Sequence, residues 1–284
     1  MLTDNICTTD SEMSTEDYPH GAIPKINPAV SKHRRLFTEH SAAPYLLTTF
    51  TNARWLENSP REYDSLMGPH QELIVANVED DDDLVGRTPD DEMERVGALN
   101  PDFYIPSDRW VYEDTMTPAA QLKEIDRCMS GTRAVYNRIQ DRDDLSTSVI
   151  PLAKGWKVWH FERCRRTIDD LGIDYCAFDV TQYESIYMIL DDVRTLIDVI
   201  QPSGILLIGR IAPDHLRRCP AEVVAATGVN HWRKNCEPAS GELSREAYGN
   251  WATDANNALT TVPSETRQSR LDQFPGITGV QFHG

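Results

Sequence analysis

Lysine is scarce in this sequence. Of 28 basic residues only six are Lys and 22 are Arg, against 45 Asp and Glu, for a formal net charge of −17. Such a balance argues against generic nucleic-acid binding, which needs phosphate neutralisation, although a small Arg cluster can still hold a phosphate locally. No Cys-x-x-Cys pair occurs among Cys7, Cys128, Cys164, Cys176, Cys219 and Cys236, so no zinc site is readable. Their scatter predicts reduced, mostly buried thiols and a cytoplasmic protein. No run of about 18 apolar residues is present and no basic-then-apolar leader pattern, so neither a membrane span nor membrane association is expected. No Gly-x-Gly-x-x-Gly turn follows any apolar run, which argues against a dinucleotide fold. Neither a metal nor a cofactor is expected.

What is present is acid. Glu79-Asp80-Asp81-Asp82-Asp83 and Asp90-Asp91-Glu92 are its densest runs. A strongly acidic surface stays hydrated in concentrated salt, where screening shortens charge repulsion to roughly 3 Å at 1 M. The alternative is a surface facing a basic partner. Acids spread along the whole chain, together with few Lys, favour the halophilic reading. The 284 residues are 40% hydrophobic, enough to bury a full core in one domain.

The pattern along the chain is α/β. Residues 1–40 read as a mobile, irregular N-terminal segment, 41–236 as the body and 237–284 as a helical extension, with Trp251 and Phe274 packing back onto it. Strands are expected at 45–50, 72–77, 102–106, 149–153, 174–179 and 204–209, with 223–226 as the last core strand. Thr117 and Pro118 read as a helix start, Gly172 as a helix stop, and Ile186, Ile189, Leu190, Val193, Leu196 and Ile197 share one helical face. Strands alternating with helices predict right-handed βαβ units and a single TIM-like (β/α)8 barrel. The acidic stretch 79–95 reads as a solvated loop or short helix, and His160 as surface or core filler.

In such a barrel the chemistry sits at the C-terminal ends of the strands. The polar residues expected there are Ser107, Asp108 and Arg109; Lys154, Gly155 and Trp156; Asp179 and Gln182; Gly209, Arg210, Asp214 and His215; and Asn230, His231, Trp232, Arg233 and Lys234. Carboxylates in that position serve as general acid, general base or nucleophile. Trp rings stack on a heterocyclic base and Arg holds phosphate. A lone strand-end Asp also serves as a helix N-cap.

The stretch Pro151-Leu152-Ala153-Lys154-Gly155-Trp156, the helix with Arg163-Cys164, and Leu171-Gly172-Ile173-Asp174-Tyr175-Cys176-Ala177-Phe178 resemble the middle of tRNA-guanine transglycosylases. So do Ile205 to Leu216 and Gly228-Val229-Asn230-His231-Trp232. The pattern is similar above all to the DpdA-type enzymes of viruses and bacteria, which place 7-deazaguanine bases in DNA. The resemblance covers residues 100–236 and implies base exchange: a carboxylate attacks the anomeric carbon, guanine leaves, and a 7-deazaguanine such as preQ0 enters. It implies a target base flipped out of the stack. It assigns base binding and acid–base work to Asp108, a base-edge contact to Asp179, and substrate binding to Lys154, Gly155, Trp156, Gly209, Arg210, Asn230, His231, Trp232 and Arg233. Lys154 stands where the family has Gln.

Three departures qualify the resemblance. Asn230 occupies the turn where the family carries its nucleophilic Asp, so the nucleophile is Asp179 or Asp214, or the chain is not a standard transglycosylase. The Asp-Ser-Gly-Gly turn is missing. The three Cys and one His that bind zinc are missing too, which favours DNA over tRNA as the partner. Two other readings stand beside this one: an idle barrel that binds a base, nucleic acid or partner protein, and a barrel enzyme using Arg210 and Arg233 on a small anionic substrate. A homodimer or a partner chain completing the site is also compatible with the sequence.

Overall fold

Apolar residues run through both faces of the strands, as parallel strands covered on both sides require. The computed structural model describes residues 18–59, 63, 66–237 and 241–260. One parallel sheet is built from β1 (Gly21–Ile26), β2 (Tyr45–Thr49), β3 (Glu72–Ala76), β4 (Phe103–Ile105), β5 (Ser148–Val149), β6 (Leu152–Ala153), β7 (Tyr175–Asp179), β8 (Gly204–Ile208) and β9 (Val223–Gly228). Its order is β5-β4-β3-β2-β1-β9-β8-β7-β6. The two end segments, β5 and β6, are separated in the chain only by Ile150 and Pro151. Ile150 N donates to the Tyr104 carbonyl at 2.9 Å, while the Pro151 carbonyl accepts from Ala177 N at 2.8 Å. Residues 148–153 thus bond β4 on one side and β7 on the other, and the sheet is curled. Pro151, lacking an N–H, marks the break between the two segments.

Alternation along each strand separates two apolar clusters. Ile23, Leu47, Ile74, Ile105, Leu152, Ala177, Leu206 and Ala225 belong to one, inside the curl. Leu46, Leu73, Tyr104, Cys176, Leu207 and Ala226 belong to the other, between sheet and helices. Each fully buried Leu or Ile contributes roughly 1.5–3 kcal/mol of transfer free energy. Aromatic rings fill the inner cluster near the strand N-termini: Tyr18 stacks on Tyr175 with centroids 4.6 Å apart, and the Tyr175 hydroxyl donates to the Pro19 carbonyl at 2.6 Å.

The helices are α1 (Ser31–Phe37), α2 (Phe50–Glu57), α3 (Asp81–Leu84), α4 (Pro89–Leu99), α5 (Pro118–Gln140), α6 (Val158–Asp170), α7 (Ile186–Ile200), α8 (Pro213–Leu216), α9 (Asn230–Cys236) and α10 (Arg245–Thr260). Their starts follow local chemistry. Thr88 and Asp91 form a reciprocal capping box before α4, and the Thr117 hydroxyl accepts from Ala120 N before α5 with Pro118 in the first turn.

Several expectations change. Residues 18–40 are not an irregular entry: they contain β1 and α1, and β1 lies between β2 and β9. Pro24 sits within this central strand although proline cannot donate to the ladder. The register accommodates it, because β1 pairs with β9 from Gly21 to Pro24 and with β2 only from Lys25 onward. The domain therefore starts before residue 41. The last strand runs on to Gly228, and the acidic 79–95 stretch holds two helices. In the C-terminal part α10 packs against β1 and β9 and buries Trp251, whereas Phe274 lies outside the described residues. Cys128, Cys164, Cys176, Cys219 and Cys236 are free and buried; Cys7 also lies outside. No helix among the described residues is long and apolar enough to cross a membrane.

Trp232 is fully buried, with His33 at 5.2 Å and Phe37 at 5.1 Å edge-on to its ring. It is a core residue of the α1–α9–α10 corner and no stacking platform. Trp232→Ala is expected to lower unfolding free energy in urea by roughly 3–5 kcal/mol, and a change under 1 kcal/mol would contradict that placement.

Candidate active site at the C-terminal ends of the strands

The inner cluster ends in polar residues where the strands finish. A cavity of about 230 Å³ opens there, and Lys25, Asp108, Lys154, Trp156, Asp179 and Tyr183 are among its lining. At its base the Lys154 Nζ lies 2.7 Å from Asp108 Oδ1, with both side chains almost wholly buried. Burial opposes the Lys154 charge, yet Asp108 and then Asp179 raise its pKa above the usual lysine range. Burial raises the Asp108 carboxyl above the usual aspartate range, Lys154 pulls it back, and Asp179 adds to the rise. Two carboxylates thus share one ammonium, an arrangement that suits a carboxyl to hold and release a proton.

The walls are set by local structure. Asp179 ends β7 and lines the cavity, and its Oδ1 accepts from Thr181 N at 3.0 Å. Gly155 adopts φ +97°, and a Cβ there would sit 2.4 Å from His160 Nδ1. That close approach lets the His160 ring accept from Trp156 N at 3.2 Å and Lys157 N at 3.3 Å. His160 is therefore the buried cap of the Lys154 turn, not filler. On the opposite wall Glu79 accepts from Thr51 N and Oγ1 at 2.7 and 2.8 Å and pairs with Arg87 at 2.5 Å. Burial opposes the Glu79 charge, but Arg87 and Thr51 together hold its carboxyl below the usual range. Tyr112 donates to Asp81 at 2.7 Å, and burial followed by that bond pushes its phenol up to about 12.

No protein-family model matches this chain, and no curated protein does.

Of the residues singled out in the sequence, Asp108, Lys154, Gly155, Trp156 and Asp179 meet at the cavity. Gly209, Arg210, Asp214, Asn230, His231, Trp232 and Arg233 do not line it. Arg210 turns to the Tyr183 carbonyl. Asp214 has 89% of its side chain exposed and pairs with Arg217, so it is no buried nucleophile. It shares a separate surface hollow with His231, whose Nδ1 accepts from Trp251 Nε1 at 2.8 Å. Asn230 is exposed, and Arg233 pairs with Glu237 at 3.3 Å, so the two Arg needed for a small-anion site do not converge on the cavity. The sequence reading missed Lys25, because β1 was not recognised, and Glu79, whose acidic neighbours disguised a buried ion pair. No cluster of three metal-ligating side chains occurs among the described residues.

Removing one member of a buried ion pair strands the other charge, at a cost of roughly 3–5 kcal/mol, whereas replacing both by apolar residues recovers most of it. Lys154→Met should show that loss in urea unfolding and Lys154→Met/Asp108→Leu should regain most of it; equal stabilities for Lys154→Met and wild type would contradict the pairing. His160 gives a pH test. Burial, then Lys157, lowers its pKa from 6.5 to about 4. A folded value below the unfolded one contributes stability above pH 6.5 that is lost as the pH falls through about 4. The melting temperature should drop over that window more steeply in wild type than in His160→Asn, which keeps an acceptor near Nδ1 and does not titrate; parallel profiles would contradict the cap.

Proposed function

We propose that the chain is a TIM-like (β/α)8 barrel, with residues 148–153 counted as one strand broken at Pro151, and that its strand-end cavity performs base exchange on a nucleic acid. The observation that carries this reading is the Asp108–Lys154–Asp179 constellation at one cavity floor. Ligand pockets for drug-sized molecules run from roughly 300 to 1,000 Å³. The smaller volume of about 230 Å³ suits a single fused ring. Trp156 and Tyr183 offer aromatic walls to it.

In this reaction an Asp179 oxygen attacks C1′ of the target nucleotide and the C1′–N9 bond breaks. The departing guanine takes a proton at N9 from the Asp108 carboxyl. Asp108 then accepts the N9 proton of the incoming 7-deazaguanine, N9 attacks C1′, and the Asp179–C1′ bond breaks. Lys154 compensates the negative charge as the proton moves. Asp179 takes the nucleophile's part that Asn230 cannot fill. DNA is the preferred polymer, since the zinc ligands associated with tRNA docking in the resembled family have no counterpart here.

A second reading is a binding barrel without turnover. It is favoured by one observation: the turn after β9 carries Asn230 in place of a carboxylate. Incubating the protein in multi-molar KCl with duplex DNA, single-stranded DNA or tRNA and labelled preQ0 separates the two. Label should enter DNA, with Asp179→Ala abolishing incorporation, Asp108→Ala lowering it by about 10²–10⁴-fold and Asp214→Ala leaving it unchanged. No label in any polymer from folded protein, with preQ0 still bound, would favour the binding barrel.

A further inference from the structure

Asp108 follows a residue in an unfavourable backbone conformation. Ser107 has φ +59°, in the left-handed region that a non-glycine residue adopts only when its surroundings hold it there. What holds it is a carboxylate from another element. Glu92, 2% exposed on α4, accepts from Ser107 N at 3.0 Å on Oε2 and from Ser107 Oγ at 2.9 Å on Oε1. Its Oε2 also accepts from the Tyr104 hydroxyl at 2.8 Å. The third wall is Gly131 on α5, where a Cβ would lie 2.3 Å from Ser107 Oγ and 2.7 Å from its Cβ. A buried carboxylate, two donors from one residue and a glycine without room for a methyl thus converge on the residue before Asp108.

We propose that Glu92 is the positioning residue of Asp108: through Ser107 it fixes the left-handed turn that aims the Asp108 carboxyl at Lys154 and into the cavity. The functional half of this proposal rests on the base-exchange reading; the geometric half does not. Lys154 and Asp179 are the charged groups that face the Asp108 carboxyl, with the Cys128 thiol and the Tyr112 phenol also near it, while the Arg109 guanidinium donates to the Asp108 main-chain carbonyl at 3.0 Å. If the turn relaxes, Asp108 leaves both its burial and these neighbours. A purely structural Glu92 would instead tie α4 to β4 through the Tyr104 hydroxyl, without consequence for Asp108.

The test is a carboxyl ¹³C titration of the full chain, with the Asp108 resonance assigned by its loss in Asp108→Asn. In wild type Asp108 should titrate above the ordinary aspartate value. Glu92→Gln should bring it back toward that value, and Gly131→Ala should do the same by pushing Ser107 away. Tyr104→Phe should lower stability and leave the Asp108 titration in place. Gly suits a positive φ and removes the clashing atoms, so Ser107→Gly/Gly131→Ala should restore the wild-type titration. An unchanged Asp108 titration in Glu92→Gln, or a double variant no better than Gly131→Ala, would overturn the proposal; should Glu92→Gln not fold, the two glycine-site variants decide alone. In the exchange assay Glu92→Gln should lower kcat by about tenfold with little change in KM. A wild type without exchange would remove the base-exchange reading while leaving the titration to judge Glu92.

Discussion

One buried ion pair organises the C-terminal end of the sheet. Lys154 and Asp108 follow neighbouring segments of the curl, β6 and β4, and meet at 2.7 Å with almost no water access. Neither charge is tolerable there alone. Their pairing fixes the turns that follow both strands, and with them the floor of the cavity. Burial raises the Asp108 carboxyl, Lys154 pulls it back and the neighbouring Asp179 adds to the rise, so Asp108 is poised to hold a proton beside an ammonium that stays charged.

The rest of the molecule keeps that pair in place. The inner apolar cluster fills the curl beneath it, and the aromatic rings of Tyr18 and Tyr175 fill the end near the strand N-termini. The cavity lies where the inward-facing positions turn from Leu, Ile and Ala to Lys154 and Asp179. Each wall has its own support: His160 caps the Lys154 turn, Glu92 holds the residue before Asp108, and Arg87 neutralises Glu79 while stacking 4.1 Å over Phe50. Active sites demand this kind of second layer, because a reacting group displaced by a fraction of an ångström loses most of its effect.

Much of this was legible in the sequence. Unbroken apolar runs such as Gly204–Ile208 announced buried parallel strands, and Thr117-Pro118 announced the start of α5. The strand-end rule brought Asp108, Lys154, Gly155, Trp156 and Asp179 forward as a group, and these share the cavity. Failures have identifiable causes. β1 was hidden in a polar stretch that reads as a tail, and its Pro24 is accommodated by the staggered register of β1 against its two neighbours. Trp232 follows the last strand in sequence, yet helical spacing turns it into the core beside Cys236. Glu92 belongs to an acidic run that reads as solvated, and nothing local marks it as buried under Ser107.

The acidity of the chain bears on the proposed function. On the proposed base-exchange reading, and with a net charge of −17, attraction of a polynucleotide has to come from the site itself or from strong screening of the surface charge. On the proposed reading a flat base binds in the cavity between Asp108 and Asp179. The most direct measurement is a crystal structure of the protein in high salt soaked with preQ0. The account predicts the ring within hydrogen-bonding distance of both carboxylates, against Trp156. A ring found in the hollow beside His231, or a cavity that stays free of preQ0 at saturating concentration, would contradict it.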